Sequence, residues 1–221
     1  MTAKHNRPRA VMPKACPKKA KPSRVVAIHE AGHALAYWWN GQGIYSATAR
    51  SKVEILAGPY IDRKGRESNP GGIVEASSFI PAPSLALEYG HGMPAELLPE
   101  LVARDLLHAY SGPVAEAIHR RTGLEWVLWD GGYSDWQHAG DLLALLPEAD
   151  QPEAGRLAIA RCRELVRRYW PAVEALADLL QARGHVEGED VEGLLCAVTG
   201  EAPKWRGKPL AHLDKRGARH A

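Results

Sequence analysis

The sequence predicts an α+β, predominantly helical domain with a small β-sheet in its first half and a helical bundle at its C-terminal end. Three observations carry that expectation. Apolar residues recur at helical spacing through most of the second half, β-branched residues gather in two short runs between residues 51 and 78, and Gly, Pro and Asn fill the stretch between those runs. With 221 residues, 45% of them hydrophobic, the chain can bury one substantial core.

Taken in order, residues 1–22 mix Pro, Lys and Ala without an apolar period and cannot offset their ordering entropy, so they read as a disordered basic tail. Ser23 follows Pro22 and can cap a helix that runs to about Trp39, where Asn40-Gly41 supplies the stop. SKVEIL and GGIVEASS then read as strands around a long turn, giving a sheet of two or three strands. From Pro99 onward five segments have helical periodicity: 97–121, 134–146, 153–170, 172–184 and 189–198. Residues 23–200 therefore form the folded domain, and residues 201–221 read as a second flexible basic tail.

Composition excludes several classes. Cys16, Cys162 and Cys196 are scattered and share no CxxC spacing, a poor disulfide framework that fits a reducing, cytoplasmic setting. No apolar run approaches bilayer-spanning length, so no membrane segment is expected. The net charge of +2 hides an asymmetry: residues 1–24 carry eight Lys or Arg and no acid, and residues 201–221 carry six basic and two acidic residues. Of the 28 basic and 26 acidic residues in all, 14 basic and 24 acidic remain between these ends, an acidic body with basic extremities. The tails lack interleaved aromatics and any nucleic-acid motif, so nucleic acid is not the expected partner.

The chemistry lies in the first helix, AIHEAGHALAYWW. Residues four apart on a helix share a face, so His29 and His33 can bring two nitrogens to one ion. This is the HExxH arrangement, and it puts Glu30 beside the pair, where a general base for hydrolysis is needed. Zinc suits imidazole donors and, with three protein ligands, keeps a position for water. The neighbours Ala31, Gly32, Ala34 and Ala36 are small enough to let a second helix approach and complete the site. The metzincin extension is absent, because Ala36 and Trp39 stand where its Gly and third His belong. A downstream Glu, with Glu96, Glu100 and Glu116 as formal candidates, or a downstream Asp must supply the third ligand.

HEAGHAL resembles the metal-binding helix of the FtsH-type zinc proteases, the AAA-coupled membrane peptidases of bacteria and organelles. SGPVAEAI is similar to that family's Gly-Gly-Arg-x-Ala-Glu-Glu segment, and GYSDWQHAGDLL to its Gly-x-Ser-x-Asp segment. The likeness extends from about Ser23 to Val198. It implies a zinc peptidase domain in which Asp135 is the third zinc ligand and Glu116 orients a ligand histidine. Ser134 directly precedes Asp135, without the residue the family has between them, and a shift of alignment there leaves Asp141 and His138 as alternative ligands. By spacing, Asp135 shares a helix face with His138, and His138 with Asp141.

Asp135 is also suited to a helix start without any metal, while His108 and His119 read as packing or surface residues and Trp126, Trp129 and Trp136 as core, with the lining of a substrate cleft as the alternative. No GxxxxGK[ST] motif occurs, so the expectation is a free-standing peptidase domain, independent of ATP, acting on peptides or unfolded protein, or on what a separate ATPase or oligomeric partner delivers. GGIVEASS is the expected sheet edge for a peptide to join. The rival readings are a catalytically silent metal-binding adaptor and a nucleic-acid-associated protein acting through its tails.

Overall fold

A computed structural model describes residues 20–90 and 92–203. The expected tails lie mostly outside that range, as does Cys16. In chain order the elements are α1 (Arg24–Trp39), β1 (Ile44–Ala49), α2 (Lys52–Ala57), β2 (Tyr60–Ile61), β3 (Glu67–Ser68), β4 (Gly72–Ala76) and α3 (Pro83–Tyr89). They continue with α4 (Leu98–Arg120), α5 (Leu124–Asp130), α6 (Tyr133–Leu143), α7 (Gln151–Arg168), α8 (Trp170–Arg183), β5 (His185–Glu187) and α9 (Gly188–Thr199). The fold is mostly helical with a small antiparallel sheet. No helix among the described residues is long and apolar enough to cross a membrane.

The first helix starts and stops where its sequence dictates. Ser23 Oγ accepts from the Val26 amide at 3.2 Å, and Gly41 takes the left-handed conformation (φ 69°) just past the Asn40 cap. The five long helices of the second half begin and end within three residues of the expected segments. SKVEIL, expected as a strand, is instead the helix α2. Ser51 and Glu54 form a reciprocal capping box, with Glu54 Oε2 accepting from the Ser51 amide at 2.8 Å, and the S-x-x-E spacing overrides the β-branched residues. None of the α2 residues is buried, so its apolar pattern does not report a core face.

The sheet has the order β4-β1-β5, all antiparallel, with β2 and β3 forming a separate two-stranded ribbon. Ala47 of the central strand pairs with Val74 on one side and Val186 on the other. GGIVEASS does contain an edge strand, β4, as expected. The central strand β1 has the sequence IYSATA, whose alanines have poor strand propensity; burial between α1 and the C-terminal helices, more than local preference, makes it a strand.

The buried apolar residues form one cluster from Ala27 to Leu195. At its centre α1 packs against α4, and the contact is set by small residues. A Cβ on Gly32 would stand 2.5 Å from the Ser111 carbonyl oxygen and 2.7 Å from Ala115 Cβ, closer than any real side chain sits. Trp126, Trp129 and Trp136, expected in the core, are exposed. The reason is helical phase: α5 buries Leu124 and Val127 and α6 buries Ala139 and Leu142, which turns the indoles outward.

Candidate metal centre

Three elements meet at the HExxH residues. Helix α1 brings His29, Glu30 and His33; α6 brings Asp135 from its first turn; and α4 runs behind them with His108 and Glu116. The His29 and His33 Nε2 atoms are 3.1 Å apart, Asp135 Oδ2 is 3.1 Å from His29 Nε2, and Asp135 Oδ1 is 3.4 Å from His33 Nε2. Donors bonded to a tetrahedral zinc at about 2.0–2.1 Å are separated by roughly 3.3 Å. His29, His33 and Asp135 therefore form a group that could hold a metal ion.

The outer nitrogens are already committed. His33 Nδ1 donates to the His108 carbonyl at 2.6 Å, and His29 Nδ1 donates to Glu116 Oε2 at 2.9 Å. A carbonyl can only accept, so His33 carries its proton on Nδ1 and turns the Nε2 lone pair toward the other donors. Glu116 is held in turn by Arg120, which donates to its Oε1 at 2.7 Å and also reaches Asp130 at 3.3 Å. Burial pushes the Glu116 carboxyl up, but the hydrogen bonds from His29 and Arg120 outweigh it and keep the group below the usual carboxylate range. Glu116, expected to orient a ligand histidine, is thus hydrogen-bonded to His29.

The buried carboxylates around His29 favour positive charge on its ring. Burial opposes charge on the His29 ring, yet its hydrogen bonds to Asp135 and Glu116, with the charge of Glu30 nearby, raise its pKa from 6.5 to about 10. Burial likewise works against ionised Asp135, but the His33 and His29 imidazoles hold it well below the ordinary range. In the metal-free chain a proton on His29 thus occupies the position of positive charge that an ion would take.

Glu30 is buried beside the ligands, its carboxyl pushed upward by burial and pulled back by the two imidazoles. Gly72, the first residue of β4, presses against it: a Cβ there would lie 2.6 Å from Glu30 Oε1. The ligands line a cleft of about 610 Å³ whose walls include Gly71 to Val74 on one side and Asp130, Gly131 and Ser134 on the other.

Of the alternative ligands, His138 also lines this cleft, whereas Asp141 does not, and neither joins the ligand group. Glu96 and Glu100 are exposed and away from the cleft. His119 is a partly exposed residue at the end of α4. His108 is a packing residue with a further part: Asn40 Nδ2 donates to its Nε2 at 2.7 Å, Asp105 lies 3.1 Å from its Nδ1, and Tyr37 stacks on its ring at 4.0 Å. Asp105 in turn accepts from the Phe79 and Ile80 amides at 3.1 and 2.7 Å. This buried network holds the carbonyl that orients His33, and nothing in the linear sequence marks it. Tyr37 is more legible, being one further turn along the His29–His33 face.

Compared with known proteins, the chain matches no family model and no curated relative. Its chemistry is read from the residues themselves.

Proposed function

We propose that the chain is a zinc-dependent endopeptidase of the FtsH type that cleaves unstructured peptides or unfolded protein segments and needs no ATP of its own. The observation that carries this reading is the convergence of His29 Nε2, His33 Nε2 and the Asp135 carboxylate in an open cleft, with both outer imidazole nitrogens engaged.

A zinc ion held by these three residues supplies Lewis acidity toward the scissile carbonyl and lowers the pKa of water toward neutrality. Glu30 takes a proton from the attacking water as its oxygen bonds to the carbonyl carbon. The same carboxyl returns that proton to the departing amine nitrogen as the C–N bond breaks. Glu116 and the His108 carbonyl keep the imidazole rings from turning. His138 and Tyr37, both in the cleft wall, are donors available to the carbonyl oxygen. Among the described residues β4 pairs only with β1, so an extended peptide can join its other edge as an added strand, along the wall that presses on Glu30. Stably folded proteins would have to be opened by a separate ATPase or oligomeric partner.

The test is cleavage of an unstructured reporter peptide by the zinc-loaded protein. Glu30→Gln should keep its zinc and lose turnover by about 10² to 10⁴-fold, the usual worth of a general base. Retained turnover would contradict the role of Glu30, and zinc binding without any wild-type turnover would favour the adaptor reading.

A further inference from the structure

Beside the cleft lies a surface that the peptidase chemistry does not use. Trp126, Trp129, Tyr133 and Trp136 are 67%, 80%, 50% and 51% exposed, and Leu85 and Tyr89 of α3, which packs on α6, are exposed as well. Large aromatic side chains left this open on neighbouring helices mark an interaction surface. The aromatics alternate along the chain with cleft residues: Asp130 and Gly131 come directly after Trp129, and Ser134 and Asp135 lie between Tyr133 and Trp136. Tyr133 and Trp136 are themselves in ring contact, with centroids 5.6 Å apart. The rings themselves do not line the cleft, but the two helices that carry them also carry its wall residues Asp130, Ser134, Asp135 and His138.

The charge around them narrows the occupant. Residues 124–150 carry six Asp or Glu and no Lys or Arg, and residues 81–100 carry three Glu and neither basic residue. Arg120 of α4 is taken by Glu116 and Asp130, and the arginines Arg121, Arg163 and Arg167 line a separate hollow with Leu124 and Glu125 at the start of α5. An anionic lipid surface would be repelled by such a face. A second copy docking the same face would set acid against acid and close off the cleft.

We propose that this acidic, tryptophan-rich face is the reception site for unfolded polypeptide segments that combine apolar and basic side chains, and that it selects the substrates of the adjoining centre. Indole faces offer such a segment both apolar contact and cation–π attraction for Lys and Arg, and the surrounding carboxylates add an attraction that salt screens. Binding at this face stands apart from the peptidase reading; only the cleavage of the bound segment rests on it.

The test uses the full-length, zinc-loaded Glu30→Gln protein, which binds without turnover, and fluorescence anisotropy of two labelled unstructured peptides of equal length. One alternates Leu and Phe with Lys; in the other Glu replaces Lys. The basic peptide should bind at least about tenfold tighter, and added salt should shrink the difference. Replacing Trp126, Trp129 and Trp136 together by Ser should weaken the basic peptide about tenfold or more at unchanged zinc content, as loss of buried aromatic anchors does. Trp129→Ser alone reads the same effect in smaller measure should the triple variant fold poorly, and Leu56→Ser, an equally exposed apolar residue on α2, should leave it unchanged. In the Glu30-intact protein the indole substitutions should raise KM for the basic peptide and leave kcat alone.

Equal binding of the two peptides, or unchanged affinity in both tryptophan variants, overturns the proposal. So does retention on phosphatidylcholine vesicles, or a dimer dissolved by the substitutions without change in peptide affinity. The two readings fail separately. A protein with no turnover but the full peptide contrast refutes the peptidase, whereas turnover with no contrast refutes the reception site.

Discussion

Among the partners that fix the centre, Glu116 is a side chain that can be removed singly. Its carboxylate orients His29 through Nδ1, and loss of such a partner typically weakens metal affinity about 10 to 100-fold while the ligands themselves remain. Glu116→Ala should show that loss in a zinc competition titration, and unchanged affinity would remove Glu116 from the account. The proton on His29 gives a second prediction. Because its pKa in the folded, metal-free chain is raised from 6.5 to about 10, the stability it contributes is complete below pH 6.5 and disappears as pH rises through 10. Metal-free protein should therefore lose thermal stability between those values, and His29→Gln should flatten that part of the profile. Zinc must displace the same proton, so its affinity should rise with pH over this window. A metal-free melting temperature that climbs from pH 6.5 to 10 would contradict the assignment.

At the scale of elements, glycines decide how close the parts can come. Gly112 of α4 lies against His33, such that an added Cβ would fall on the imidazole Nε2, and Gly72 of β4 lies against Glu30. These two positions separate metal binding from proton transfer. Gly112→Ala should expel His33 from its place and abolish stoichiometric zinc. Gly72→Ala should leave zinc bound, displace the Glu30 carboxyl and lower kcat about 10²-fold. Zinc analysis and peptide turnover on both variants check the pair, and the reverse assignment of losses would refute the arrangement.

The same scale shows where the sequence is legible. His29, Glu30 and His33 can be read because a helix converts spacing into a shared face, and the small residues around Gly32 announce the approach of α4. Asp135 can be reached through the resemblance but not from spacing alone, since His138 and Asp141 stand on related faces; only the packing of α6 against α4 brings Asp135 to the imidazoles. The helix α2 reads wrongly as a strand although its capping box, Ser51 and Glu54, is local. The strand β1 goes unread because its alanines become a strand only through neighbours distant in the chain. The Asn40–His108–Asp105 network is tertiary throughout: His108 is 68 residues from Asn40, and Ile80, whose amide Asp105 anchors, is 25 residues away.

Over the whole molecule, the acidic body and its aromatic face give the cleft a polarity that the near-zero net charge conceals. The candidate metal-binding residues and the exposed aromatics share two neighbouring helices: α6 carries both Asp135 and Trp136, and α5 carries Trp126 and Trp129. The peptidase reading depends on an ion between His29, His33 and Asp135. The direct measurement is metal content with zinc X-ray absorption on never-chelated wild type and on Asp135→Ala. The account predicts one zinc per chain with two imidazole nitrogens and a carboxylate oxygen in wild type, and loss of one oxygen donor in the variant. A wild-type protein that carries no metal and takes up none, or an absorption spectrum unaltered by Asp135→Ala, would contradict it.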